Sequence, residues 1–265
     1  MNTVERAVQL HRELRRQRGP ELVLVHARFR PEDRRRKVHA LSAEPGEAGM
    51  IVTATQVVEA GVDLSSATLF TELAPWGSVV QRLGRCNRFG EFDEASVYWL
   101  DGIAASFEPY DEDPCIEARR LLLKLEGQSA GPADLEDLPR GEPPSAAHVL
   151  RRADLLDLFD TEPDLSGNDI DVSRFIRDDA DVDCHVFWRR LDEQVPRADM
   201  AGPSPDELCP VPVARLRELV ERLEGRLVFA WDHLVRGWRP MGRGDVRPGV
   251  VALVAADAGG YDPDL

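Results

Sequence analysis

At 265 residues, 43% of them hydrophobic and 31% charged, the chain is long enough to bury one large or two smaller cores. No apolar run approaches the roughly 18 to 20 residues of a membrane span, and the charged N-terminal segment has no secretory pattern, so a cytoplasmic protein without a membrane partner is expected. The net charge of −15 argues against general nucleic-acid affinity, but it is unevenly spread: residues 1–40 hold 11 Arg+Lys against 5 Asp+Glu, and residues 101–200 hold 11 against 25. A basic front with an acidic rear suits a protein that touches DNA along one edge. The acidic half reads as solvated loops and a partner-facing surface.

In chain order, residues 2–18 form an amphipathic helix, with Val4, Ala7, Val8, His11 and Leu14 at helical spacing and Asn2 with Glu5 as a capping-box-like start. Gly19-Pro20 stops it. Residues 21–27 (ELVLVHA) then make a nearly continuous apolar strand, as a parallel sheet covered on both faces requires. His26 within it is expected as a satisfied core histidine. The basic run Arg34 to Lys37 belongs to a helix on which Glu32 and Asp33 can pair with it. Met50-Ile51-Val52 is a second strand, Gly61 and Asp63 mark the loop after it, and residues 67–73 are a third.

A helix is predicted from near Ser78, capped by its hydroxyl and carrying Gln81, Arg82, Arg85 and Arg88. Arg85 and Arg88, three apart, would then share a face, and two guanidiniums there fit a phosphoryl group's spread charge. An Arg-rich solvated surface is the alternative. Residues 94–100 (EASVYWL) are another strand, closing a domain near residue 105 of about five strands and three or four helices. The alternation of helix and strand makes this an α/β Rossmann-like layer.

Beyond it, residues 114–126 are a helix, followed by the Gly/Pro/Ser-rich linker SAGPADLEDLPRGEPPSAA and a helix over 148–159. Strands over 182–188, 227–233 and 248–255, with a helix over 210–223, read as a small α+β domain. Trp188, Trp231 and Trp238 are expected in its core rather than stacking on bases. The Asp-rich stretch from Asp169 to Asp183 matches no calcium-loop spacing, so no metal site is assigned. Cys86, Cys115, Cys184 and Cys209 lie far apart without a CxxC and are expected as free thiols.

Three segments, VTATQVVEAGVDLS (52–65), TELAPW (71–76) and QRLGRCNRFG (81–90), in that order, resemble motifs V and VI of superfamily two helicases. More narrowly, the chain is similar to the C-terminal part of the CRISPR-associated helicase-nuclease of type I systems, and LVLVHARF (22–29) resembles motif IV. The resemblance implies a RecA-like (P-loop NTPase type) parallel-sheet lobe over residues 1–105, a helical linker over 106–165 and a small accessory α+β domain over 166–265. It also implies site roles: Arg85 and Arg88 as arginine fingers reaching the γ-phosphate of ATP, Gln81 opening motif VI, and Asp63 on the ribose with Gly61 allowing close backbone approach. Thr53 and Thr55 would line the nucleic-acid track, joined by Arg28 at the strand's carboxyl edge, where ligands collect in open α/β sheets. Glu59 lies in motif V without an assigned role.

The implied cofactor is ATP with Mg2+, held mainly by another lobe, because the sequence contains no GxxxxGK[ST] loop and no DEAD-like box. The implied partners are single-stranded DNA, an N-terminal RecA-like lobe with a nuclease domain, and the CRISPR surveillance complex. The chain alone is therefore expected neither to hydrolyse ATP nor to unwind or cut DNA. Two other readings stay open at this point: a superfamily two translocase acting in repair or RNA remodelling, and a non-catalytic module that docks on a partner.

Overall fold

The computed structural model describes residues 1–17, 19–60, 62–101, 107–136, 138, 152, 155, 183–191, 194–197, 199–224, 226–232 and 237–265. Gly61, all of the helix expected over 148–159 except Arg152 and Leu155, about half of the Gly/Pro/Ser-rich linker and all of the Asp-rich stretch except Asp183 lie outside them. Two compact units are present, one of residues 1–141, 201–210 and 256–265, the other of 142–200 and 211–255.

In the first unit, helix α1 (Val4–Arg15) is capped by Thr3, whose side chain accepts from the Arg6 backbone N–H at 3.3 Å. The expected cap, Asn2, is instead buried, with its amide Nδ2 donating to the Leu73 carbonyl at 2.7 Å. Glu5 in the first turn and Arg12 and Arg15 in the last complement the helix dipole. Strand β1 (Glu21–Val25) pairs in parallel with β2 (Met50–Ala54), Val23 opposite Val52. Alternation along β1 sends Leu24 to a cluster with Ala7 and Phe29, and sends Val23 and Val25 to one with Leu41. Both faces of the strand are thus covered, which is why it reads as an unbroken apolar run. Helix α2 (Pro31–Leu41) starts on a proline, whose missing N–H costs nothing there.

Strand β3 (Thr68–Glu72) pairs in parallel with β4 (Ser96–Leu100), Phe70 opposite Tyr98. Leu69, Val97 and Trp99 pack on a core formed by Leu73, Val79 and Leu83 with Cys115, Leu121 and Leu122. The last three come from helix α4 (Glu112–Leu125), and a short α5 (Pro132–Glu136) follows. Phe70 and Tyr98 stack on the other face with their rings exposed, centroids 5.0 Å apart. The described strands of residues 1–101 number four rather than about five, in two parallel pairs.

Helix α3 spans Trp76–Leu83 and differs from its sequence expectation at both ends. Its cap is Pro75, with no side-chain hydrogen bond, so Ser78 lies inside the first turns and caps nothing. Gly84 ends it, which places Arg85 and Arg88 beyond the helix rather than on one helical face.

The remaining strands form a five-stranded sheet in the order β6-β5-β9-β7-β8: β5 Asp183–Arg189, β6 Cys209–Pro212, β7 Val228–Asp232, β8 Gly237–Pro240 and β9 Val251–Ala255. Strands β5 and β9 are parallel, whereas β7 runs antiparallel to β8 and β9. Helix α6 (Val213–Arg222) packs on β5 through an apolar stripe that buries Leu216 and Val220. Trp231 meets Trp238 edge-on at 5.3 Å, and Trp238 reaches Phe187 at 5.8 Å, the packing role expected of these aromatics. The four cysteines are free. No described helix is long and apolar enough to cross a membrane.

Candidate nucleotide-facing corner

After β2 the chain continues in extended form: the Thr55 backbone N–H donates to the Val25 carbonyl at 3.2 Å, and a 3-10 turn, Gln56–Val58, follows. The residues beyond α3 fold back against the loop that leads into β3. The Ser66 N–H donates to the Arg85 carbonyl at 3.0 Å, the Asn87 N–H to the Ser66 carbonyl at 2.9 Å, and the Arg88 N–H to Ser65 Oγ at 2.9 Å. Asn87 makes the reversal with a positive φ of 47°, a conformation in which Asn costs less than most side chains. Its side chain closes the following loop by exchanging hydrogen bonds with the Phe92 backbone at 2.9 and 3.0 Å. Backbone hydrogen bonds therefore stitch the two motif-bearing loops together.

Three arginines use this corner differently. Arg82 on α3 is buried, and its guanidinium donates to Glu59 Oε1 at 2.8 Å, Asn2 Oδ1 at 3.0 Å, Thr71 Oγ1 at 3.1 Å, the Glu72 carbonyl at 3.2 Å and the Tyr110 hydroxyl at 3.2 Å. Arg85 donates through Nε to the Val58 carbonyl and through Nη2 to the Glu59 carbonyl, both at 2.8 Å. Arg88 is exposed, with Nε 3.2 Å from Asp63 Oδ1 and Asp63 itself 73% accessible. Its guanidinium also lies 5.6 Å from the Phe89 ring centroid.

Gln81 is exposed on α3, and with Arg88 it borders an open cavity of about 1380 Å³ whose apolar lining includes Val80, Val97, Trp99 and Leu125. Thr53 and Thr55 are both buried, and Thr53 Oγ1 has no hydrogen-bond partner. Arg28 pairs with Glu5 of α1 at 2.7 Å on a half-exposed surface. The structure thus pairs Arg88 with Asp63, holds Arg85 on the Val58 and Glu59 carbonyls, sets Gln81 and Arg88 on one cavity, and leaves the two threonine side chains off the surface. Sequence reasoning gave no site role to Arg82 or Glu59 and gave Asn2 only that of a helix cap. Asn2 and Glu59 lie 80 and 23 residues from Arg82 in the chain, so no local pattern marks the contact.

His26, read as a satisfied core histidine, is buried and stacked on Phe29 at 3.9 Å, but only half its hydrogen-bonding capacity is met. Nδ1 accepts from the Arg28 N–H at 3.2 Å, while Nε2 has no partner within hydrogen-bond distance. Burial, opposed by the nearby Leu265 backbone and reinforced by the cations of Arg28 and Lys37, pulls its pKa down to about 4, so the ring is neutral at pH 7.

Parallel strand pairs flanked by helices, with an arginine-bearing turn tied to the loop after β2, define a RecA-like α/β lobe. The family profile described as the C-terminal region of the CRISPR-associated nuclease/helicase Cas3 matches residues 1–91. A CRISPR-associated helicase Cas3 of Thermoproteus tenax is 32% identical over 126 residues, covering 47% of this chain and 21% of the relative. The crystal structure of T. fusca Cas3-AMPPNP superposes with a TM-score of 0.55 at 17% identity, covering 96% of this chain and 35% of that one. A chain of a pre-nicking CRISPR RNA-guided surveillance complex gives 0.52 at 17%, covering 96% and 36%. Over residues 1–91 the chain is thus similar to the C-terminal region of the Cas3 family, and its fold is that of the corresponding part of the solved Cas3 structures. It spans about a fifth of the length of the Thermoproteus relative.

Proposed function

We propose that this chain is the second RecA-like lobe, with its accessory region, of an ATP-dependent single-stranded DNA translocase of type I CRISPR interference. The observation that carries this reading is the exposed Arg88 guanidinium beside Asp63, on a turn stitched by backbone hydrogen bonds to the loop after β2. ATP with Mg2+, held by the opposing lobe, supplies a γ-phosphoryl group for transfer to water. The donors here suit that anion. Arg88 exchanges its exposed carboxylate partner for a phosphate oxygen at little cost, because such pairs are weak in water.

A guanidinium carries five N–H donors, and Arg85 uses two of them on the Val58 and Glu59 carbonyls. The other three are available to a phosphate without loss of the loop contact. Once Arg88 turns to the phosphate, Asp63 is released to accept from the ribose. Gly61 and Gln81 complete the nucleotide edge. Arg28 meets the strand's phosphates from the basic front, while Thr53 and Thr55, with buried side chains, shape the end of β2 beneath the track.

Without a phosphate-binding loop of its own the chain turns over no ATP; it acts joined to an N-terminal lobe and nuclease domain and recruited by a surveillance complex, in the cytoplasm. In the complete enzyme, Arg88→Ala is expected to reduce ATP turnover by at least about 10³-fold, the scale of arginine-finger loss, while single-strand affinity stays near the wild-type value. ATPase assays and fluorescence-anisotropy binding measure the two. Equal loss of both contradicts the assigned role.

A further inference from the structure

Among the described residues, Arg82 and Glu59 form the one ion pair of this corner whose partners are both largely removed from water, with side-chain accessibilities of 7% and 11%. A buried pair of this kind contributes little net stability compared with apolar side chains of the same volume, because desolvation offsets the attraction. Its geometric consequence is larger. Arg82 fixes the Glu59 carboxylate, and the backbone carbonyls of Val58 and Glu59 hold Arg85. Gln56, in the same 3-10 turn, donates through Nε2 to the Asn2 carbonyl at 2.8 Å, and Asn2 Oδ1 accepts from Arg82. The turn between β2 and Asp63 is therefore held at both ends by groups that meet on Arg82.

We infer that Arg82 is the positioning residue of the site: through Glu59 it holds the Gln56–Glu59 turn against the arginine-bearing turn, so that a strand lying along the first turn alters the phosphate contacts made from the second. Neither Arg82 nor Glu59 touches nucleotide or DNA in this arrangement. Both act through Arg85. The inference rests on the proposed ATPase reading, and it assigns strand-dependent regulation to a salt bridge that neither ligand contacts.

The test uses the complete enzyme and two variants, Glu59→Gln and the double variant Glu59→Gln with Arg82→Gln. The double variant keeps hydrogen-bonding amides in the buried space without an unpaired charge. Steady-state ATP turnover is measured with and without single-stranded DNA, alongside KM for ATP and thermal melting. The expected result is a fall of about tenfold in the ratio of stimulated to unstimulated turnover, carried by kcat, with KM for ATP unchanged. Residues with only a packing role would shift melting without changing that ratio.

A folded Glu59→Gln enzyme with the wild-type ratio overturns the inference. If Glu59→Gln melts below the assay temperature, the double variant decides: a lowered ratio supports the role, and a wild-type ratio overturns it. If neither variant folds, Arg82 is a packing residue and the inference fails. Wild-type enzyme without strand-stimulated turnover would sink the proposed function instead, leaving the buried contact as described.

Discussion

The first unit contains two buried polar clusters of opposite design. One is centred on a guanidinium, where Arg82 gathers Glu59, Asn2, Thr71, the Glu72 carbonyl and Tyr110. The other is centred on a carboxylate, where Asp33 on α2, 1% accessible, accepts from Arg30 Nε at 2.7 Å, from Arg36 and from the Tyr261 hydroxyl at 2.6 Å. Tyr261 closes that ring by accepting from the Arg30 N–H at 3.1 Å, and the Arg30 guanidinium lies over its phenol at 4.7 Å. The Asp33 cluster fastens residues 256–265 to α2, at the periphery. The Arg82 cluster fastens two loops that carry the proposed chemistry. A permanently charged centre suits the second task because it keeps its charge at every physiological pH, whereas a carboxylate centre depends on staying ionised.

That contrast can be broken by truncating each centre. Arg82→Ala strands Glu59 and removes five donor contacts at once, so a loss of about 3–5 kcal/mol is expected in urea unfolding of the chain at pH 7. Asp33→Asn keeps the shape and part of the hydrogen bonding, and Arg36 can turn to water, so a smaller loss of about 2 kcal/mol is expected. A reversed order would mean that the corner around Arg82 tolerates rearrangement and that α2 is the more rigid anchor.

Acid sharpens the comparison further. Burial pushes the Asp33 carboxyl up, but the hydrogen bonds from Tyr261, Arg30 and Arg36 outweigh it, so the folded-state pKa lies below the ordinary aspartate value of 3.8. Its stabilising contribution is then complete above pH 3.8 and lost as the pH falls through the lower folded value. Thermal melts taken downward from pH 5 should show this loss in the wild-type chain and in Arg82→Ala. The loss should shrink in Asp33→Asn, and an unchanged acid limb there would remove Asp33 as its source.

Much of the lobe was legible because its determinants are local. The apolar runs at ELVLV and MIVTA and the alternation of SVYWL fall on β1, β2 and β4 to within a few residues. The ends of α3 were not legible from Ser78, since Pro75 turns the chain into the helix without needing a hydroxyl. Gly84, by contrast, was a visible stop signal, and giving it weight would have moved Arg85 and Arg88 off the helix. Which arginine is buried was not legible. Arg82, Arg85 and Arg88 are alike in sequence, and their different environments come from Asn2, Glu59 and Tyr110, which only the fold brings together. The bare stacked pair Phe70 and Tyr98 was hidden for a related reason, since alternation in a strand does not say which face another element will cover.

The central claim is that Arg88 reaches the terminal phosphate of a nucleotide held by another lobe. The most direct measurement is the equilibrium affinity of the complete enzyme for a non-hydrolysable ATP analogue and for ADP, in the wild type and in Arg88→Ala. The account predicts a loss of about tenfold or more for the analogue, the scale of a charge-assisted hydrogen bond, with ADP affinity unaffected. Equal changes for both nucleotides, or none for either, would contradict it.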